Sequence, residues 1–152
     1  EVVYLPAREL PEREPFEKAY KEALSTAKKA KTEEERHAAS RTAIRNKETL
    51  DLIDRVTDPI RTEVQVMRIG DVALVATPGE LFAELGLEIK QKSVAPHTFV
   101  IGYANDWIGY IVSPGTFKEG GYESSPGPWT RAGEEGGQII VKKALELIEN
   151  LW

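Results

Sequence analysis

The stretch RIGDVALVATPGELFAELG, residues 68–86, decides the fold class because it changes period twice within nineteen positions. Val64, Val66 and Ile69 lead into Gly70-Asp71, and Val72, Ala73, Leu74, Val75 and Ala76 follow, so the spacing predicts a β-hairpin over 62–77 with a tight two-residue turn. The second arm is apolar on both faces, which marks a central strand. Pro78 and Gly79 break it. Leu81, Phe82, Leu85 and Ile89 then recur at helical spacing, predicting a helix over about 79–92. Glu80 falls where a strand end meets a helix start, and a carboxylate there is favoured by the helix dipole whatever else it does.

Working outward, residues 1–14 read as extended and loop-like, with Pro6 and Pro11 excluding a helix interior. Phe16, Ala19, Tyr20, Ala23, Leu24 and Ala27 form an apolar stripe after Pro15, giving a helix over 15–30. Thr32 and Glu35 stand at capping-box spacing and open a second helix through Ala39, Ala43, Asn46, Leu50 and Ile53. Residues 15–57 therefore form a helical hairpin, and its mixed-sign charges read as a solvated face. In the other direction, 98–104 is a strand after Pro96-His97, and 113–137 is a long loop rich in Gly and Pro. A last helix carries Ile140, Ala144, Leu147, Ile148 and Leu151 on one face. The expected class is α/β: an N-terminal helical hairpin, strands of a partly completed sheet with flanking helices, the Gly/Pro-rich loop and a C-terminal helix.

Composition bounds the function. The chain has 152 residues, 41% of them hydrophobic, enough for one core. With 20 Lys and Arg against 25 Asp and Glu, its balance is mildly acidic and disfavours nucleic-acid binding. Cys is absent, which removes thiolate metal sites and Cys nucleophiles. No apolar run reaches the roughly 18 to 20 residues that a transmembrane helix needs. The chain starts at Glu1 with the apolar Val2, Val3 and Tyr4 and no initiator Met, a start that reads as a cut through a longer chain. Residues 1–152 are expected to be one domain, divided as 1–14, 15–57 and 62–152.

Chemistry-bearing motifs are few. His37 and His97 lie in no HExxH or HxH pattern, and there is no GxSxG, phosphate loop or GxGxxG. What stands out is a concentration of polar and aromatic residues after two strands: Thr77 and Glu80 after one, Asn105, Asp106, Trp107 and Tyr110 after the other. Ligands collect at such strand ends in open α/β sheets. The plainer alternative is that Trp107 and Tyr110 cap the core and Glu80 caps a helix.

Residues 68–86, followed by HTFVIGYANDWIGYIVSPGTFKEGGYE at 97–123, resemble the later half of the catalytic domain of the neutral (non-lysosomal) ceramidase-like family. The resemblance covers most of the chain, and its specific motifs lie in 68–123. It implies a zinc-dependent amide hydrolase acting on N-acyl amide bonds of ceramide-like lipids. It implies zinc held by two His together with the Glu of the P-G-E segment and the Tyr of the N-x-x-x-G-Y segment, here Glu80 and Tyr110. A second Tyr near the reacting amide corresponds to Tyr122. The family's two His ligands lie earlier in the catalytic domain, and neither His37 nor His97 matches them. The implied partners are a lipid amide substrate and the missing N-terminal part of the same protein, and the implied location is secreted, periplasmic or membrane-surface. Two other readings stand beside it: a non-catalytic module binding a lipid or a partner chain, and a structural C-terminal domain. If the resemblance holds at residue level, Glu80 and Tyr110 converge in one concavity with Trp107 or Tyr122 on its rim.

Overall fold

In the computed structural model, which describes residues 1–152, the 70–71 turn joins Gln65–Ile69 (β3) to Val72–Ala76 (β4) as an antiparallel hairpin. His97–Ile101 (β6) adds to the other side of β4 in parallel, so β4 is the central strand of three, as its two-sided apolar pattern requires. The connection between the parallel strands is the helix Ala83–Lys92 (α3), the crossover that parallel pairing demands. Register puts Val66, Val75 and Val100 on one face together with Ala73. Leu85 and Ile89 of α3, and Ile140, Val141, Ala144 and Ile148 of Glu135–Glu149 (α5), are buried there. The opposite face presents Ile69, Met67, Phe99 and Ile101, all exposed.

The segment read as a helix from residue 79 is split. Glu80–Leu81 (β5) pairs in parallel with Tyr110–Ile111 (β7), and α3 begins only at Ala83. The apolar residues Leu81 and Phe82 fit a helical stripe, but their backbone is recruited by a strand that the local pattern does not announce. The start of the chain, read as extended, is a paired strand. Val2–Leu5 (β1) is a strand and pairs antiparallel with Ile60–Glu63 (β2), alternating buried Val3 and Leu5 with exposed Val2 and Tyr4. The 113–137 loop holds a short helix, Thr116–Glu119 (α4), between Gly115 and Gly120. These elements, with Glu1–Arg8, Thr57–Ser125 and Trp129–Trp152, form one compact unit.

The other unit, Glu9–Val56 with Pro126–Pro128, is the helical hairpin. Arg13–Lys29 (α1) and Glu33–Arg55 (α2) are joined by three residues. Arg13 at the start of α1 bonds Asp54 near the end of α2, so the two helices run antiparallel. Thr32 caps α2 by accepting from the Glu35 backbone N–H at 3.2 Å while the Glu35 carboxylate accepts from the Thr32 N–H at 3.3 Å, the reciprocal pair that the spacing predicts. Ala23, Ala39, Ala43, Leu50 and Leu52 are buried.

Candidate functional site

The chain leaves β4 and β6 side by side and folds back on itself immediately. Thr77 donates its backbone N–H to the Ile101 carbonyl at 2.8 Å, Ala104 donates to Thr77 at 3.0 Å, and Tyr103 donates to Gly79 at 3.1 Å. On the other flank of the same segment Ile108 donates to Pro78 at 2.9 Å, Glu80 to Gly109 at 3.0 Å and Phe82 to Ile111 at 3.0 Å. Residues 77–82 are therefore held between 101–104 and 108–111. Such close layering needs residues without side chains. A Cβ on Gly79 would lie 2.3 Å from the Gly109 carbonyl oxygen, and one on Gly109 would lie 2.2 Å from the Trp129 carbonyl oxygen, with Gly109 also at φ +86°.

This scaffold brings Glu80 and Tyr110 together. They are register partners in the β5/β7 pair, and the Tyr110 hydroxyl donates to the Glu80 carboxylate. That bond, with desolvation and the neighbouring negative charge, pushes the Tyr110 pKa up to about 12. Tyr103, which sequence reasoning missed, donates to the same carboxylate, and its own pKa is raised chiefly by that bond. Its backbone is left-handed at φ +56°, an uncommon state for a bulky residue that aims the phenol back at Glu80. The Gly102-Tyr103 pair directly after a strand is the one signal that could have pointed to it. Glu80, Phe82, Leu87, Lys90, Val100 and Tyr103 border a groove of about 560 Å³.

Tyr122 stands against the other side of Tyr110, edge to face with centroids 6.2 Å apart, and stacks on Trp129 at 5.3 Å with ring planes 13° apart. Phe82 meets Tyr110 edge-on at 6.4 Å. Three aromatic rings, Phe82, Tyr122 and Trp129, thus form a wall beside the carboxylate–phenol pair. Tyr122, not Trp107, contacts that pair. Trp107 lies under the Arg131 guanidinium at 5.4 Å. Asp106 accepts from the Thr62 hydroxyl at 3.0 Å and the Trp107 backbone N–H at 2.7 Å, and Asn105 donates to Gln65 at 2.9 Å, so both shape the turn. His97 begins β6, at the far end of the strand from this site, and His37 is exposed on α2. No group of three or more His, Cys, Asp or Glu side chains comes together anywhere in the chain.

A carboxylate between two phenols thus lies just past the carboxyl ends of neighbouring parallel strands, the place where ligands collect in open α/β folds. The chain is similar to the neutral ceramidase of Pseudomonas aeruginosa, with 29% identity over 103 residues, covering 61% of this chain and 15% of that protein. Among solved structures, neutral ceramidase from Pseudomonas aeruginosa matches at 24% identity and a TM-score of 0.48, covering 62% of this chain and 16% of that one. A ceramidase complexed with C2 shares the fold over 63% of this chain and 15% of its own, at 19% identity and a TM-score of 0.53. The chain therefore spans about 15% of the length of the curated relative it matches. No protein-family model matches it. No helix is long and apolar enough to cross a membrane.

Proposed function

We propose that this chain supplies part of the active site of a zinc-dependent amide hydrolase of the neutral ceramidase type, with Glu80 and Tyr110 as two of the metal's ligands. The observation that carries the reading is the convergence of Glu80 and Tyr110 as register partners whose side chains interact. Two ligands of one zinc have oxygens on the order of 3 to 4 Å apart, and register partners on adjacent strands whose side chains interact are suited to such an approach. A cation would replace the proton, favouring the phenolate that Glu80 alone disfavours. The donor set fits zinc as a half-site, and the remaining ligands come from residues outside these 152.

Bound there, zinc would polarise an amide carbonyl and lower the pKa of a water to about 7. The chain's own residues do the rest. Glu80 and Tyr110 would hold the ion, Tyr103 would steady the carboxylate's orientation, and the aromatic wall would keep bulk water from one side. Tyr122 is placed to donate to the oxyanion that develops when an N-acyl amide is attacked. The groove beside Glu80, bordered by Phe82, Leu87 and Val100, suits a substrate with a hydrocarbon portion.

The test is zinc affinity and N-acyl amide hydrolysis by the full-length polypeptide carrying these residues. Glu80→Gln and Tyr110→Phe are each expected to weaken zinc binding at least about tenfold and to remove most turnover, while residues 1–152 alone give none above background. Wild-type affinity in both variants would end the reading. The exposed apolar sheet face favours a second one, a non-catalytic module that binds a lipid or a partner chain. Activity indifferent to chelators would turn the choice toward it.

A further inference from the structure

We propose that Arg8, remote in sequence from every site residue, is the positioning residue that sets Tyr122 and Trp129 against Tyr110. The inference rests on the reading above, in which Tyr122 faces the reacting amide. Arg8 is only 9% exposed. One terminal nitrogen donates to the Ser125 carbonyl at 3.0 Å and reaches the Thr130 carbonyl at 3.5 Å, and the other donates to the Ser124 carbonyl at 3.0 Å. The guanidinium plane lies over the Phe117 ring at 4.9 Å. The backbone on either side is fastened too: Arg8 donates to the Arg131 carbonyl at 2.8 Å, and Gly133 donates to Pro6 at 2.9 Å.

The acceptors flank the two aromatic residues. Ser124 and Ser125 follow Tyr122, and the Tyr122 carbonyl accepts from the Ser125 backbone N–H at 3.1 Å and from the Trp129 indole N–H at 3.2 Å. Thr130 follows Trp129, whose carbonyl accepts the Tyr110 backbone N–H at 2.6 Å. Gripping both flanks therefore fixes the stacked pair and, through it, the edge presented to Tyr110. Arg8 pairs with no carboxylate, its burial depresses its pKa, and its Nε is buried without a partner. An apolar residue would pack on Phe117 but would leave the Ser124, Ser125 and Thr130 carbonyls without this donor, so what the guanidinium contributes is the direction of its hydrogen bonds. Only a planar fork of donors reaches three convergent carbonyls; a Lys ammonium offers the charge without the fork.

The experiment compares Arg8→Lys, Arg8→Gln, Arg8→Met, Tyr122→Phe and the double variant Arg8→Lys/Tyr122→Phe in the full-length polypeptide. It reads zinc affinity, kcat and KM for an N-acyl amide, and hydrogen exchange of the Trp129 indole. Arg8→Lys is expected to leave zinc affinity and KM within about threefold, to lower kcat at least about tenfold, and to speed Trp129 indole exchange by a similar factor. Added to Tyr122→Phe it should lower kcat no further, because both act on one group. Unchanged indole exchange in Arg8→Lys and Arg8→Gln overturns the proposal, as do kcat losses that multiply in the double variant. If Arg8→Met does not fold, those two variants decide the matter. Glu80→Gln with wild-type zinc affinity would instead remove the functional reading, and the exchange measurement would still judge the grip of Arg8.

Discussion

Tyr110 keeps its proton to about pH 12 because the neighbouring Glu80 carboxylate accepts it, and this is the most direct single-residue consequence of the fold. The folded pKa lies above the ordinary phenol value near 10, so the bond's contribution to stability is complete below about pH 10 and is lost as pH rises toward 12. Ultraviolet titration of the metal-free chain should therefore show Tyr110 ionising well after an ordinary phenol, with Tyr103 also shifted upward, and Glu80→Gln should bring both back toward the ordinary value. A common midpoint for all five tyrosines would contradict the geometry. Residue types alone left Glu80 open to another account, a helix cap. The structure assigns it to β5, and the cap position of α3 falls to Phe82.

At the scale of elements, β5 and β7 are two residues each and owe their alignment to layered loops rather than to length. Gly79 and Gly109 permit that layering, and Gly109 does so in a left-handed conformation. Gly109→Ala adds a Cβ against the Trp129 carbonyl at 2.2 Å and strains φ. Urea unfolding should register a loss of about 2 to 4 kcal/mol, accompanied by release of Tyr110 from Glu80. Wild-type stability would mean that the layers give way at no cost. The helices need no such support. The α1 and α2 stripes repeat at 3.6 residues and the Thr32–Glu35 box closes locally, so both were legible at nearly their final bounds.

For the whole chain, the exposed face of the three-stranded sheet dominates behaviour in solution. Parallel strands are ordinarily covered on both faces, yet Ile69 and Phe99 stand 64% and 55% exposed beside Met67 and Ile101. Residues 1–152 alone should self-associate in a concentration-dependent way, and Ile69→Ser with Phe99→Ser should shift light scattering toward a monomer. A monomeric wild-type chain at high concentration would count against an uncovered face. This face lies opposite the one packed by α3 and α5.

Local periodicity and turn chemistry were enough, read from residues alone, to specify the helical hairpin, the β3–β4 turn, the central place of β4 and the last helix. All depend on neighbours within a few positions. The motif blocks at 68–86 and 97–123 singled out Glu80, Tyr110 and Tyr122. Other features had no local signature. β1 finds its partner across more than fifty residues, β5 and β7 are too short for a period, and Tyr103 reaches Glu80 only through a left-handed turn. Arg8 meets carbonyls more than a hundred positions away. Such pairings are decided by which backbone groups the packed layers leave unsatisfied, a property of the closed chain that no window of sequence contains.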